Sequence, residues 1–242
     1  NVTNLGPVMT ASAERAADRV AQSGNRAINM ANEMVRATFD VIGDVTFSDS
    51  GGFDRDAVHR AIDAYIDAAG RVSLFDIFGL PDWIPRPARL MSGKILKEMK
   101  TLADRSIDAR RQEPHTGTPD LLDLLLAGED PETKKRMNTD ELRDNLLTFI
   151  VAGHETTALT LSWALYLCAF DETVQDRLRA EAQSVLQGRT ATAEDCADLP
   201  YTEQVIKETL RLYPPAAIVS RTAQAHDTLR DREIRPGDTV MM

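Results

Sequence analysis

The chain is poor in cysteine, histidine and aromatic residues: its 242 residues include 2 Cys, 4 His and 5% Phe, Trp and Tyr. Cys168 and Cys196 cannot staple a chain of this size into a disulfide framework, and neither has a CxxC partner. The histidines His59, His115, His154 and His226 are scattered singly, so no zinc-ligand spacing exists. Both absences favour a reducing, cytoplasmic setting. Glycine (13) and proline (11) are not enriched, which excludes collagen-like and linker-dominated architectures. Positive charge is the minority, with 28 Lys and Arg against 38 Asp and Glu and a formal charge of −10. No Lys/Arg-rich run reverses that balance locally, which excludes phosphate-driven nucleic acid binding. The start, Asn1-Val2-Thr3-Asn4-Leu5, lacks the basic and apolar regions of a signal peptide. It also lacks an initiating Met, and the chain stops at Thr239-Val240-Met241-Met242 in what reads as a strand, so the sequence reads as a piece of a longer protein. No GxSxG elbow or HExxH helix is present to support hydrolase chemistry, and no flavin or nicotinamide fingerprint occurs.

What is present is a helical chain, 43% hydrophobic and 27% charged, with material for a real core. Apolar residues recur at helical spacing from Asn25 to about Val45 (Ile28, Met34, Val35, Phe39) and from Asp54 to about Val72 (Val58, Ile62, Tyr65, Ile66). The stretch from Phe75 to Pro87 then combines proline with large hydrophobics. A docked loop and a mobile lid over a hydrophobic pocket both fit it. Helices are expected from about Arg89 to Arg111 and from Leu121 to Ala127. Asn138-Thr139-Asp140-Glu141 reads as a capping-box start. The run Leu146 to Phe170 is apolar on all sides, which predicts burial on most sides. One helix over Thr139 to Phe170 would be about 48 Å long, the width of a compact domain of this size. His154, Glu155 and several hydroxyls in its middle argue against a membrane span. Asp171 caps an amphipathic helix that Gly188 can end, Pro200 suits the first turn of the next, and Pro214-Pro215 stops it. The β-branched tail with Pro236-Gly237-Asp238 predicts short strands.

Within the long helix, Ala152-Gly153-His154-Glu155-Thr156-Thr157 forms a polar, small-residue notch. Ala152 and Thr156 stand one turn apart on one face, leaving room for a flat group with a proton donor beside it. Glu155 can relay protons. The same residues also suit a helix–helix crossing that uses Gly and Ala for close approach. Downstream, Glu208 and Arg211 are i, i+3 neighbours, an ordinary surface pair by themselves.

Taken together and in this order, the notch and Glu208-x-x-Arg211 followed by Leu212-Tyr213-Pro214-Pro215 resemble the cytochrome P-450 superfamily of haem-thiolate monooxygenases, soluble bacterial type. Ser220-Arg221-Thr222, Asp227 and Pro236-Gly237-Asp238 are similar to its following strand region. The resemblance implies a mainly α fold with a small β region, incomplete, forming the central part of such a fold. It implies one domain over 1–242: helices and a lid loop (75–87) within 1–137, the long central helix over 138–170, two helices over 171–213 and short strands over 214–242. It implies that Ala152 and Thr156 lie against the distal face of haem, with Thr156 and Glu155 delivering protons there. Glu208 and Arg211 would form a structural charge pair, Arg221 would meet a haem propionate, and Ala216, Ala217 and Ile218 would line the substrate pocket. The family's cysteine ligand sits in a Gly-rich loop. Neither Cys168 nor Cys196 does, so both read as inert thiols and no metal ligand is expected in this segment.

The activity implied for the full-length protein is insertion of one oxygen atom of O2 into an apolar organic substrate. Electrons would come from NAD(P)H through a separate ferredoxin- or flavoprotein-type donor. A cytoplasmic monomer without a membrane segment is expected. The alternative is a non-catalytic helical ligand-binding or scaffold protein whose notch serves only packing.

Overall fold

A computed structural model describes residues 5–47, 60, 61, 64, 87–114 and 119–242. The helix expected over 54–72 and the lid loop expected over 75–87 lie almost wholly outside the described residues. Seven α-helices are described: α1 (Gly6–Gln22), α2 (Met30–Phe47), α3 (Pro87–Gln112), α4 (Leu121–Ala127), α5 (Thr139–Ala169), α6 (Glu172–Leu186) and α7 (Pro200–Leu212). A 3-10 turn at Glu194–Asp198 precedes α7. The tail forms two antiparallel pairs. In one, β1 (Ser220–Thr222) lies against β4 (Thr239–Met241), and in the other β2 (Asp227–Leu229) lies against β3 (Arg232–Ile234). The fold is mainly α with a small β region. The chain divides into two compact units, one of residues 1–158 with 190–193 and one of residues 159–189 with 194–242.

The first unit contains the apolar core. Phe39 and Phe47 of α2, Met99, Ala103 and Ile107 of α3, Leu122 of α4 and Leu142, Leu146, Leu147 and Ile150 of α5 form one buried cluster. Helix α1 adds little apolar surface, because its buried positions are Gly6, Ser12 and Ala16. It is joined to α2 by charge instead: Arg15 pairs with Asp44 at 2.8 Å, and Arg19 with Glu33 at 3.0 Å and Asp40 at 3.4 Å. Helix α2 starts at Met30 rather than at Asn25. Gly24 turns the chain at φ 57, and the Asn29 side chain accepts from the Asn32 amide at the true start. The carbonyl of Phe47, at the other end of α2, accepts from Arg110 Nη2 at 3.2 Å.

The second unit is held by polar and aromatic contacts. Asp171 caps α6 by accepting from the Val174 amide. Leu199 offers α7 no side-chain cap, and Glu181 of α6 does that work from outside. Its carboxylate accepts from the Tyr201 and Thr202 amides at 2.7 and 2.8 Å. The Arg177 guanidinium lies 3.9 Å over the Tyr201 ring, and Trp163 stacks on Tyr213 at 4.1 Å. Pro214 and Pro215 follow the end of α7, where no further amide can extend the helix. Among the described residues no helix is long and apolar enough to cross a membrane.

Candidate active site

Helix α5 begins in a reciprocal cap, with the Glu141 amide donating to Asn138 Oδ1 at 2.9 Å and the Asn138 amide to Glu141 Oε2 at 2.8 Å. Three turns on lies the notch, and its six residues divide by face. Gly153 and His154 point inward. A Cβ added at Gly153 would stand 2.6 Å from Ile42 Cδ1, far inside the 3.5–4.0 Å of a carbon–carbon contact. A side chain at this position would force the Ile42 side chain of α2 to shift. The His154 side chain is buried, its ring edge-to-face with Phe39 at 5.6 Å, and Nδ1 lies 2.8 Å from the Ile150 carbonyl. That distance to an acceptor-only oxygen assigns the proton to Nδ1.

Ala152 and Thr156 are exposed. Thr156 Oγ1 donates to the Ala152 carbonyl at 3.0 Å, and Thr157 Oγ1 to the Gly153 carbonyl at 3.2 Å. Back-bonding of this kind loosens a helix locally. It also orients the hydroxyl: Thr156 Oγ1 spends its proton on the Ala152 carbonyl and keeps acceptor capacity on its lone pairs. Phe149, 47% exposed, stands one turn before Ala152. Phe149, Ala152 and Thr156 therefore form an open strip in which a methyl lies between a phenyl ring and a hydroxyl. A flat apolar group fits such a strip. Phe149 escaped the sequence reading although its spacing to Ala152 and Thr156 places it on their face. Glu155, half-buried beside the strip, has no hydrogen-bond or ion-pair partner among the described residues.

In the second unit Glu208 and Arg211 meet in a two-point pair at 2.8 and 2.7 Å on the exposed side of α7. The paired guanidinium holds the Glu208 carboxyl below the ordinary glutamate value, and Glu208 raises Arg211 in turn. A carboxyl lowered in the folded state gives stability present above the unfolded pKa of about 4.3 and lost as the pH falls below it. Denaturant titrations at several pH values are expected to show Glu208→Gln less stable than the parent near neutrality. The difference should shrink below about pH 4. A difference independent of pH would exclude the ionised pair as its source. Ala216, Ala217 and Ile218 are exposed between α7 and β1. Arg221, also exposed, donates from Nη1 to the Ser220 carbonyl at 2.8 Å.

The strip on α5 fits one face of haem. The thiols are another matter. Burial raises the Cys168 pKa, with Asp171 adding to the effect, which favours the neutral thiol over a thiolate ligand. Cys196 is exposed on the 3-10 turn. No cluster of metal-binding side chains occurs among the described residues.

The cytochrome P-450 family model matches residues 1–242. Cyclooctatin synthase of Streptomyces melanosporofaciens is 31% identical over 93% of this chain and 49% of its own length. Cyclooctat-9-en-7-ol 5-monooxygenase of the same organism is 36% identical over 67% of this chain and 35% of its own length. The bifunctional cytochrome P-450/NADPH–P-450 reductase 2 of Bacillus subtilis is 33% identical over 85% of this chain and 20% of its own length. The crystal structure of the cytochrome P-450DA heme domain superposes with a TM-score of 0.84 at 24% identity, covering 100% of this chain and 52% of that one. A second cytochrome P-450 crystal structure gives 0.79 at 27% identity, covering 96% and 54%. The chain thus spans about half the length, or less, of these relatives. With a family match that runs from its first residue to its last, this chain belongs to the cytochrome P-450 family.

Proposed function

We propose that this chain is the central part of a haem-dependent monooxygenase that inserts one atom of O2 into an apolar organic substrate, the other leaving as water. The observation that carries this reading is the strip of Phe149, Ala152 and Thr156, with the Thr156 hydroxyl back-bonded to the Ala152 carbonyl. Haem, when bound, supplies the redox iron at which O2 is reduced. Ala152 and Phe149 give its distal side an apolar seat and exclude water. Thr156 holds a proton at Oγ1 and, by releasing the Ala152 carbonyl, turns it outward. Glu155 restores that proton from solvent. Glu208 and Arg211 hold the end of α7 as a structural pair. Arg221 is assigned to a propionate, the charge complement of a guanidinium, and Ala216, Ala217 and Ile218 to the wall of the substrate pocket. Two relatives named above are a monooxygenase and a reductase-fused P-450, which supports electrons drawn from NAD(P)H through a redox protein. A cytoplasmic monomer fits a chain whose described helices include no membrane span.

Two measurements on the full-length haem protein test this. A carbon monoxide difference spectrum with the thiolate-haem signature is expected, and its absence would leave the scaffold reading. Thr156→Ala is expected to keep consuming NAD(P)H while the product formed per NAD(P)H falls at least about tenfold, the low end of what a positioned proton donor contributes. Unchanged coupling would remove Thr156 from the proton path.

A further inference from the structure

Helix α2 meets the back of the notch at two consecutive residues. Phe39 and Ile42 are i, i+3 neighbours on one face of α2. Ile42 closes over Gly153 so tightly that a Cβ there would lie 2.6 Å from Cδ1 and 3.2 Å from Cγ1. Phe39 stands edge-to-face against the His154 ring, whose side chain is 1% exposed and whose Nδ1 is tied to the Ile150 carbonyl one turn back. A small residue allowing close approach beside a large ring wedged in place is a keyed contact. It resists rotation of α5 about its own axis, which a smooth apolar seam would not. At about 100° per residue, His154 lies about 160° from both Ala152 and Thr156. His154 therefore sits opposite the strip, while Gly153, about 60° from Thr156 and about 40° from Phe149, borders it. Helix α2 is itself anchored at its far end, because the Phe47 carbonyl accepts from Arg110, which Asp120 holds at 2.9 and 2.8 Å.

We infer that Phe39 and Ile42, keyed against His154 and Gly153, are positioning residues that fix the rotation of α5 and so aim the Thr156 hydroxyl. This rests on the proton-delivery reading proposed above. The lever is short and steep. Side-chain atoms on a helix lie about 5 Å from its axis, so a turn of about 10° moves the Thr156 oxygen by about 0.9 Å. A misplacement of about 1 Å in a reacting constellation can cost about 100-fold. Thermal stability alone would report a packing contact. A contact that aims a hydroxyl must also show in how electrons are spent.

The test compares Gly153→Ala, Ile42→Ala and the double variant Ile42→Ala/Gly153→Ala in the full-length haem protein, with Thr156→Ala alongside. The new methyl in Gly153→Ala presses on Ile42. Product per NAD(P)H is expected to fall at least about fivefold, and the ferric absorption spectrum, which reports the distal surroundings of the iron, to shift. Removing the Ile42 branch makes room for that methyl, so the double variant is expected to regain coupling to within about twofold and to recover the parent spectrum. If Gly153→Ala fails to fold, Ile42→Ala carries the test. With the stop gone, amides 152–157 should exchange about tenfold faster and coupling should drop. Parent coupling and spectrum in folded Gly153→Ala, a double variant that does not recover, or unchanged exchange and coupling in Ile42→Ala would each overturn the inference. Thr156→Ala separates the two failures. If it leaves coupling intact, the proton-delivery reading has failed. If it uncouples while the α2 variants do not, only the positioning role is lost.

Discussion

Replacing Arg110 with methionine is expected to cost the folded chain about 3–5 kcal/mol, the range for removing one partner of a buried ion pair. The Arg110 side chain is 4% exposed and that of Asp120 2%. The guanidinium donates to both Asp120 oxygens at 2.9 and 2.8 Å, to Asp123 Oδ1 at 2.6 Å and to the Phe47 carbonyl at 3.2 Å. One side chain thus ties the end of α3 to the start of α4 and the end of α2. Its carboxylate contacts outweigh the burial that opposes them, so its pKa is raised and it stays charged at every accessible pH. Methionine fills similar volume but removes the guanidinium that donates to both Asp120 carboxylate oxygens and to the Phe47 carbonyl. Asp120 also caps α4 by accepting from the Asp123 amide at 2.9 Å. Asparagine caps about as well as aspartate and carries no charge, so Arg110→Met/Asp120→Asn should recover most of the loss. Guanidinium unfolding of the three proteins checks both statements. A single-variant loss below about 1 kcal/mol would mean that the pair is solvated and idle.

Much of the fold was legible because helix ends are written locally. Asn138 with Glu141, Asp171 and Pro200 mark starts that the structure places where the sequence does. The signals that failed were those with no local mark. Helix α1 buries Gly6, Ser12 and Ala16, so the face that packs carries no large apolar stripe to count. The long helix is also less enclosed than its composition predicts, with Tyr166 and Phe170 exposed near its end. An apolar surround says that a helix can be covered on every side and does not say what covers it. Glu181 caps a helix other than its own, a function visible only once α6 and α7 lie together.

The candidate site divides along the same line. Ala152 with Thr156 and Glu208 with Arg211 are one-turn relations, so helical geometry alone brings each pair together, and the structure contains both. The crossing that competes with function in the notch proved to be a matter of face. Gly153 serves close approach to Ile42, while Ala152 takes no part in it and stays exposed. Periodicity, which sets Gly153 about 100° from Ala152 but only about 60° from Thr156, does not by itself separate the two roles. It could not name Ile42, more than a hundred residues away, because a helical stripe carries no address for its partner.

Hydrogen exchange on the 242-residue chain is expected to separate the two units by a factor of about 100 or more, amides 146–150 exchanging more slowly than amides 205–210. Every buried apolar side chain among the described residues lies at or before Ala158. A buried Leu, Ile or Phe contributes about 1.5–3 kcal/mol, and the first unit collects these contributions in one cluster. The second unit relies on smaller terms. A stacked pair such as Trp163 and Tyr213 is worth about 0.5–1.5 kcal/mol beyond its area, and an exposed pair such as Lys207 and Glu203 under about 1 kcal/mol. Ile206 and Leu210 of α7 remain exposed along one of its faces. Opening of the second unit therefore exposes little apolar surface that is not already wet, and it should open without the first. Helix α5 runs through both units, so protection along it should fall between Ile150 and Cys168 although its hydrogen bonding is continuous. Equal protection across α5 and α7 would show that the chain opens as one body, with buried apolar area a poor guide to where it is weak.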